Sequence, residues 1–136
     1  MSEYRLFAKR GRPPAPRDVP PGFHWSTYPS TLRIRGLLKE CARRDVGNWD
    51  YPGGEFFAIG VYFGPMLIAH GARYAGGLLH CVVVHPTFRR KGIGSWLVAQ
   101  LCPPEPYPFL IAPTDPDTTP EGIAFWQDLG FTEITK

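Results

Sequence analysis

The chain has 136 residues, of which 43% are apolar and 20% charged, with a net charge of +3 when histidine is neutral. That length supports one domain with its own core, and the composition is that of a globular rather than a disordered chain. The most continuous apolar stretch, Phe56 to Ala69, contains Gly60, Gly64 and Pro65. It falls short of the roughly 20 residues of a membrane-spanning helix. Residues 1–10 hold no apolar h-region, so no signal peptide is expected. Cys41, Cys81 and Cys102 form no C-x-x-C pair, which predicts reduced thiols, a cytoplasmic setting and no metal site.

Residues 1–29 read as a basic, proline-rich N-terminal strand and strap. Residues 4–9 suggest a short strand. Gly11 to Gly22 then holds Pro13, Pro14, Pro16, Pro20 and Pro21, which predicts an extended, irregular segment. Arg5, Lys9, Arg10, Arg12 and Arg17 lack interleaved aromatics, a poor nucleic-acid footprint. The main domain is expected over 30–136. Ser30 can cap a helix, and Ile34, Leu37, Leu38 and Cys41 form a helical stripe, predicting a helix over about 31–44. Glu55–Phe63 and Met66–Tyr74 flank Gly64-Pro65 with hairpin spacing. Leu78–Val84 is β-branched and nearly continuous, as expected of a central strand.

From Gly92 to Leu101 the apolar spacing becomes helical, and Pro103-Pro104 stops it. Phe109–Ala112 is a short strand. Thr119-Pro120-Glu121 is a helix start, with a hydroxyl cap, proline at the first position and an acid at the positive end of the dipole. Gly130 ends that helix, and Phe131–Thr135 forms a last strand. The order predicts an α+β fold, with a mixed, mostly antiparallel sheet packed against helices.

The segment richest in chemistry is Val84-His85-Pro86-Thr87-Phe88-Arg89-Arg90-Lys91-Gly92-Ile93-Gly94-Ser95. A strand ends, a basic loop follows, and glycines open a helix. Unpaired amides and the dipole at a helix N-terminus favour an anion. Gly92 and Gly94 would let a phosphate approach the backbone. A Walker A loop is absent, and the dinucleotide G-x-G-x-x-G pattern lacks its third glycine.

This segment resembles the acetyl-CoA loop of the GNAT superfamily of N-acetyltransferases, whose pattern is [QR]-x-x-G-x-[GA] after a strand. Arg89 to Gly94 fit it at every fixed position. The late helix ending in Leu129-Gly130-Phe131 is a second shared feature, and the likeness runs from about residue 55 to the C-terminus. The resemblance implies an acetyl-CoA-dependent transfer to a primary amine. The pantetheine arm would lie along Cys81, Val82, Val83 and Val84, with Phe109–Ala112 splaying away. The pyrophosphate would rest on the amides of Arg89, Arg90, Lys91, Gly92, Ile93, Gly94 and Ser95. A backbone amide in the Val82–Val84 region would serve as an oxyanion hole. Thr119 stands where the family often has a cofactor-contacting asparagine.

The amine arrives protonated, and histidine titrates near neutrality. His80 is the favoured base, since Leu79–His85 also resembles the matching strand of arylalkylamine N-acetyltransferases. The alternative is a histidine packed in the sheet. Strand alternation would place His80, Val82 and Val84 on one face. Glu55 is a second candidate in the acceptor site, and His70 and His85 read as structural and exposed.

Trp126 takes the place of the family's thiolate-protonating tyrosine, and an indole is no useful acid. Tyr107 or water would then serve. The shortened C-terminus leaves room for one strand where many relatives have two. The gap would be filled by a second subunit, giving a homodimer, or by the proline-rich N-terminal segment. The alternative function is a degraded module that binds CoA or a protein partner without turnover.

Overall fold

A computed structural model describes residues 5–41, 49–103, 109–114 and 118–134. Within these residues seven strands form one sheet: β1 (Arg5–Arg10), β2 (Phe23–Thr27), β3 (Phe56–Phe63), β4 (Met66–Tyr74), β5 (Leu78–Val84), β6 (Phe109–Thr114) and β7 (Thr132–Glu133). Among the described residues three helices accompany it: α1 (Thr31–Glu40), α2 (Ile93–Leu101) and α3 (Pro120–Asp128). The spatial order is β2-β3-β4-β5-β6-β1-β7. All neighbours are antiparallel except β5 and β6.

Local chemistry accounts for most boundaries. Ser30 accepts from the Arg33 amide and starts α1, and Thr119 does the same for α3 through the Gly122 amide. Both are hydroxyl caps on first-turn amides. Gly64, with φ of 58°, turns the β3–β4 hairpin, a conformation glycine adopts without strain. The α1 helix ends at Glu40, with Cys41 as its C-cap. Residues 42–44 of the expected helix lie outside the described residues.

The two faces of the sheet bury different cores. On one face α2 and α3 cover Phe7, Ile59, Val61, Ile68, Leu79 and Leu110. On the other, Ile34, Leu37 and Leu38 of α1 pack on Leu67 and Val83. The sequence reading gives no strand at 23–27, yet β2 pairs along its length with β3 from Phe23↔Phe63 to Thr27↔Ile59. It is a short, largely exposed edge strand, and such strands form through their pairing partner rather than through their own pattern.

The N-terminal strand has an unexpected place. β1 lies between β6 and β7, with Phe7 opposite Ala112 on one side and Glu133 on the other. The strand between β6 and β7 is thus formed by the residues just before the proline-rich segment.

Candidate functional site

The centre of the site is where β5 and β6 part. They are parallel and pair only at Leu78↔Ile111. Beyond that point the remainder of β5 pairs with no strand on its β6 side among the described residues. A second irregularity lies on the same strand. β4 and β5 pair at Ala72↔His80 and at His70↔Val83, so Gly71 faces both Cys81 and Val82. This is a β-bulge, and Cys81 has φ of 55°. A non-glycine residue in that region stores strain, which is common at functional sites. The His85 amide donates to Ile68 O on β4 at 2.7 Å. By alternation, the backbone of Val84 and Val82 turns toward the opening.

At the end of β5 the chain makes a short turn, Pro86–Phe88, and then the basic loop. His85 Nδ1 accepts from the Thr87 amide and its Nε2 lies 3.6 Å from Glu40. His85 is thus half-buried and engaged in the turn rather than an exposed loop residue. Arg89 Nε donates to Val84 O at 2.9 Å, folding its side chain back over the mouth of the opening. Arg90 and Gly92 adopt φ of 65° and 82°. Unlike α1 and α3, α2 has no side-chain acceptor on its first-turn amides, so these donors are available to an anion.

Gly94 has a different reason from the one read in the sequence. A Cβ there would meet the Phe125 ring at 3.0 Å, so its smallness lets α2 approach α3. Gly92 remains the glycine whose backbone conformation the loop requires.

The bulge also corrects the face of His80. Because Cys81 is the extra residue, alternation slips by one. Val82 and Val84 pack on the α2–α3 side, whereas His80 stacks on Trp49 with ring centroids 6.0 Å apart, on the side of Val83 and α1. Trp49 is held there by its carbonyl, which accepts from Arg35 Nε at 2.7 Å. The Tyr51 hydroxyl donates to Pro29 O at 2.8 Å, and the next residue back, Asp50, accepts from Thr31 Oγ1.

Around His80 the structure gathers groups that no local pattern of residues joins. Tyr74 meets His80 edge to face at 5.6 Å, and His70 meets Trp49 at 5.8 Å. Among the described residues, His70 Nε2, Tyr74 Oη and His80 Nε2 are all buried with no hydrogen-bond partner. Three such atoms in one cluster are unusual, since buried polar groups are nearly always paired. Burial pushes His80 below the usual histidine range. Burial also pushes His70 down to about 4; its Nδ1 contact with Ile59 O opposes this, and His80 adds to the lowering. Both rings are therefore neutral near pH 7. Burial raises the Tyr74 hydroxyl, as do Cys81 and Asp50, so it stays protonated.

Tyr74 also lines an open groove of about 450 Å³ with Glu55, Phe56, Phe57, Arg73 and Phe109. The groove lies at the closed end of the β5–β6 opening, where Gly77 meets β6 so closely that a Cβ would strike Phe109 O. Glu55 is exposed on its wall. Trp126 is only 8% exposed and sits edge to face against Phe125 and Phe131 at 5.0 Å each. It is a core residue of α3. Tyr107 lies outside the described residues. Among the described residues no group of three or more His, Cys, Asp or Glu gathers as a metal site, and no helix is long and apolar enough to cross a membrane.

The chain belongs to the GNAT acetyltransferases: the model of the acetyltransferase (GNAT) domain matches residues 52–133. Solved structures share the fold at low identity. A GCN5-related N-acetyltransferase from Kribbella flavida aligns with a TM-score of 0.55 at 16% identity, over 98% of this chain and 56% of its own. A functionally unknown conserved protein from Staphylococcus epidermidis aligns at 0.63 and 14% identity, over 97% and 57%. A tandem GNAT protein from the clavulanic acid biosynthesis pathway aligns at 0.61 and 17% identity, over 96% and 50%. The chain thus spans about half the length of these proteins. No curated protein matches it.

Proposed function

We propose that this chain transfers an acetyl group from acetyl-CoA to a primary amine by direct attack, with His80 accepting the amine proton. The observation that carries this reading is the parting of β5 from β6 directly below an uncapped, strained basic loop. The residues present fit the cofactor. Val82 and Val84 offer backbone groups to a pantetheine arm, and the amides of Arg89 to Ser95 offer an anion site at the end of the same strand.

When bound, acetyl-CoA supplies an activated thioester. The chain's own contribution is positioning, which can lower the barrier by several kcal/mol, together with a proton acceptor. A neutral His80 takes a proton from the ammonium, so that the amine nitrogen can form the new C–N bond as the C–S bond breaks. The departing thiolate takes its proton from water, since Trp126 is packed in the core. The groove bounded by Glu55, Phe56, Phe57 and Tyr74 is the acceptor's approach, with Glu55 offering a carboxylate to the ammonium at its rim.

Calorimetric titration with acetyl-CoA, repeated on Gly92→Glu, tests the reading. Micromolar binding to the wild type and its loss in the variant are expected, followed by thiol release with some member of an amine panel. Binding without release from any amine would favour a module that holds CoA without turnover, the reading that the buried Trp126 supports. A folded wild-type protein that binds no acetyl-CoA would sink both.

A further inference from the structure

The placement of β1 has a consequence for the cofactor loop. β1 and β2 lie five strand positions apart, about 24 Å at the usual strand spacing. Residues 11–22 must cross that span, and in a polyproline-like extension they reach about 37 Å. That reach exceeds the lateral span by about half, so the strap holds one course through its contacts rather than through its length. Its middle lands on the basic loop: a Cβ on Gly92 would lie 2.9 Å from Pro16 Cγ and 3.7 Å from its Cδ. Val19, further along, packs on the α2–α3 core, and Pro13 is buried, so the strap is anchored on both sides of Pro16.

The loop under Pro16 needs such support. Arg90 and Gly92 are both left-handed, and no side chain caps α2. Left-handed residues persist where surrounding structure over-determines them. We propose that the proline strap is a positioning element of the cofactor site: Pro16 braces Gly92 so that the amides of the Arg89–Ser95 loop stand ready for the pyrophosphate. Arg17, the next residue, is exposed, as are Arg89, Arg90 and Lys91 of the loop, so the residue after the Pro16 contact carries a further cation. Gly92 is required twice over, by its own φ and by the proline ring against it. This inference rests on the cofactor assignment above for its binding arm, while its exchange arm stands alone.

The test compares wild type with Pro16→Ala, and with Ala15→Gly as a control for strap flexibility. Hydrogen exchange of the amides over 89–95 is measured on the protein alone. The brace predicts exchange about tenfold faster in Pro16→Ala, with the amides of β4 unchanged. Calorimetry then compares CoA with S-acetylpantetheine, which has no pyrophosphate. About a tenfold rise in Kd is expected for CoA in Pro16→Ala and no rise for acetylpantetheine. Unchanged loop exchange would overturn the brace, as would tighter CoA binding, which would make the strap an obstruction. An equal loss for both ligands would also overturn it, as a general loosening of the fold. A wild type that binds no CoA defeats the assignment of function, and loop exchange then decides the brace alone.

Discussion

The two halves of the sheet are built in opposite ways. β2 to β5 form an antiparallel run in which β3, β4 and β5 follow one another through short turns. β6, β1 and β7 are gathered from the two ends of the chain, with Ala8 pairing both Ile111 and Thr132. The halves meet at the single pair Leu78↔Ile111. The first half holds the bulge, His80 and the strand leading to the basic loop. The second half supplies a wall that stands away from it. A cleft between two half-sheets needs one half that is precise and one that is merely well anchored, and the residues divide along that line.

The largest effect is expected where the second half is anchored. Phe7 is fully buried and joins β1 to the α2–α3 core. Phe7→Ala should cost about 3–5 kcal/mol, a large share of a typical domain's stability. Urea denaturation checks this. Since the wall would loosen without any change in β5, residual folded protein should retain the His80 environment. A loss under 1 kcal/mol would mean that β1 is not integral to the sheet.

The next effect concerns the first half alone. His80→Gln should lower kcat/KM by about 10²–10³-fold, in the range of general-base catalysis, and leave the Kd for acetyl-CoA near wild type. In the wild type a rise of kcat/KM with pH should have its midpoint below the usual histidine value, because burial favours the neutral ring. A midpoint unmoved by the substitution would assign the proton to another group.

His70 turns the same cluster into a stability statement. Its folded pKa is depressed to about 4, against about 6.5 in an unfolded chain. Above pH 6.5 neither state is protonated there. As pH falls from 6.5 toward 4 the unfolded chain binds a proton that the folded state refuses, so stability is lost across that window. The full loss is on the order of 3 kcal/mol. Replacing His70 with Leu should flatten the stability-against-pH curve between pH 6.5 and 4. An unchanged slope would mean that the ring reaches solvent.

The same division explains what was legible in the sequence. The β3–β4 hairpin and the basic loop announce themselves through Gly64-Pro65 and the spacing of Arg89, Gly92 and Gly94. The insertion of β1 does not, because its partners at 109–114 and 132–133 lie at the far end of the chain and no local pattern encodes that pairing. The bulge was equally hidden. Nothing in Leu-Leu-His-Cys-Val-Val-Val marks Cys81 as the residue that leaves the alternation. That one residue decides the face of His80, and with it the company of Trp49, Tyr74 and His70. The loop motif could be read because backbone conformation selects Gly92 and close helix packing selects Gly94. The acceptor side could not, because it is made of side chains brought together by a register shift.

The smallest effect should come from Trp126, on the anchored half. Its position on the late helix invites a chemical role, but its contacts with Phe125 and Phe131 commit it to packing. Trp126→Phe keeps an aromatic ring in that stack and removes part of its volume, a change expected to cost about 1–2 kcal/mol of stability. In the proposed proton path from amine to His80 the indole N–H takes no part, so kcat should stay within about twofold of wild type where the variant is folded. Thermal melts read the first quantity and thiol release the second. A tenfold fall in kcat at unchanged Kd for acetyl-CoA would return Trp126 to the reacting centre, and would mean that the second half does more than stand as a wall.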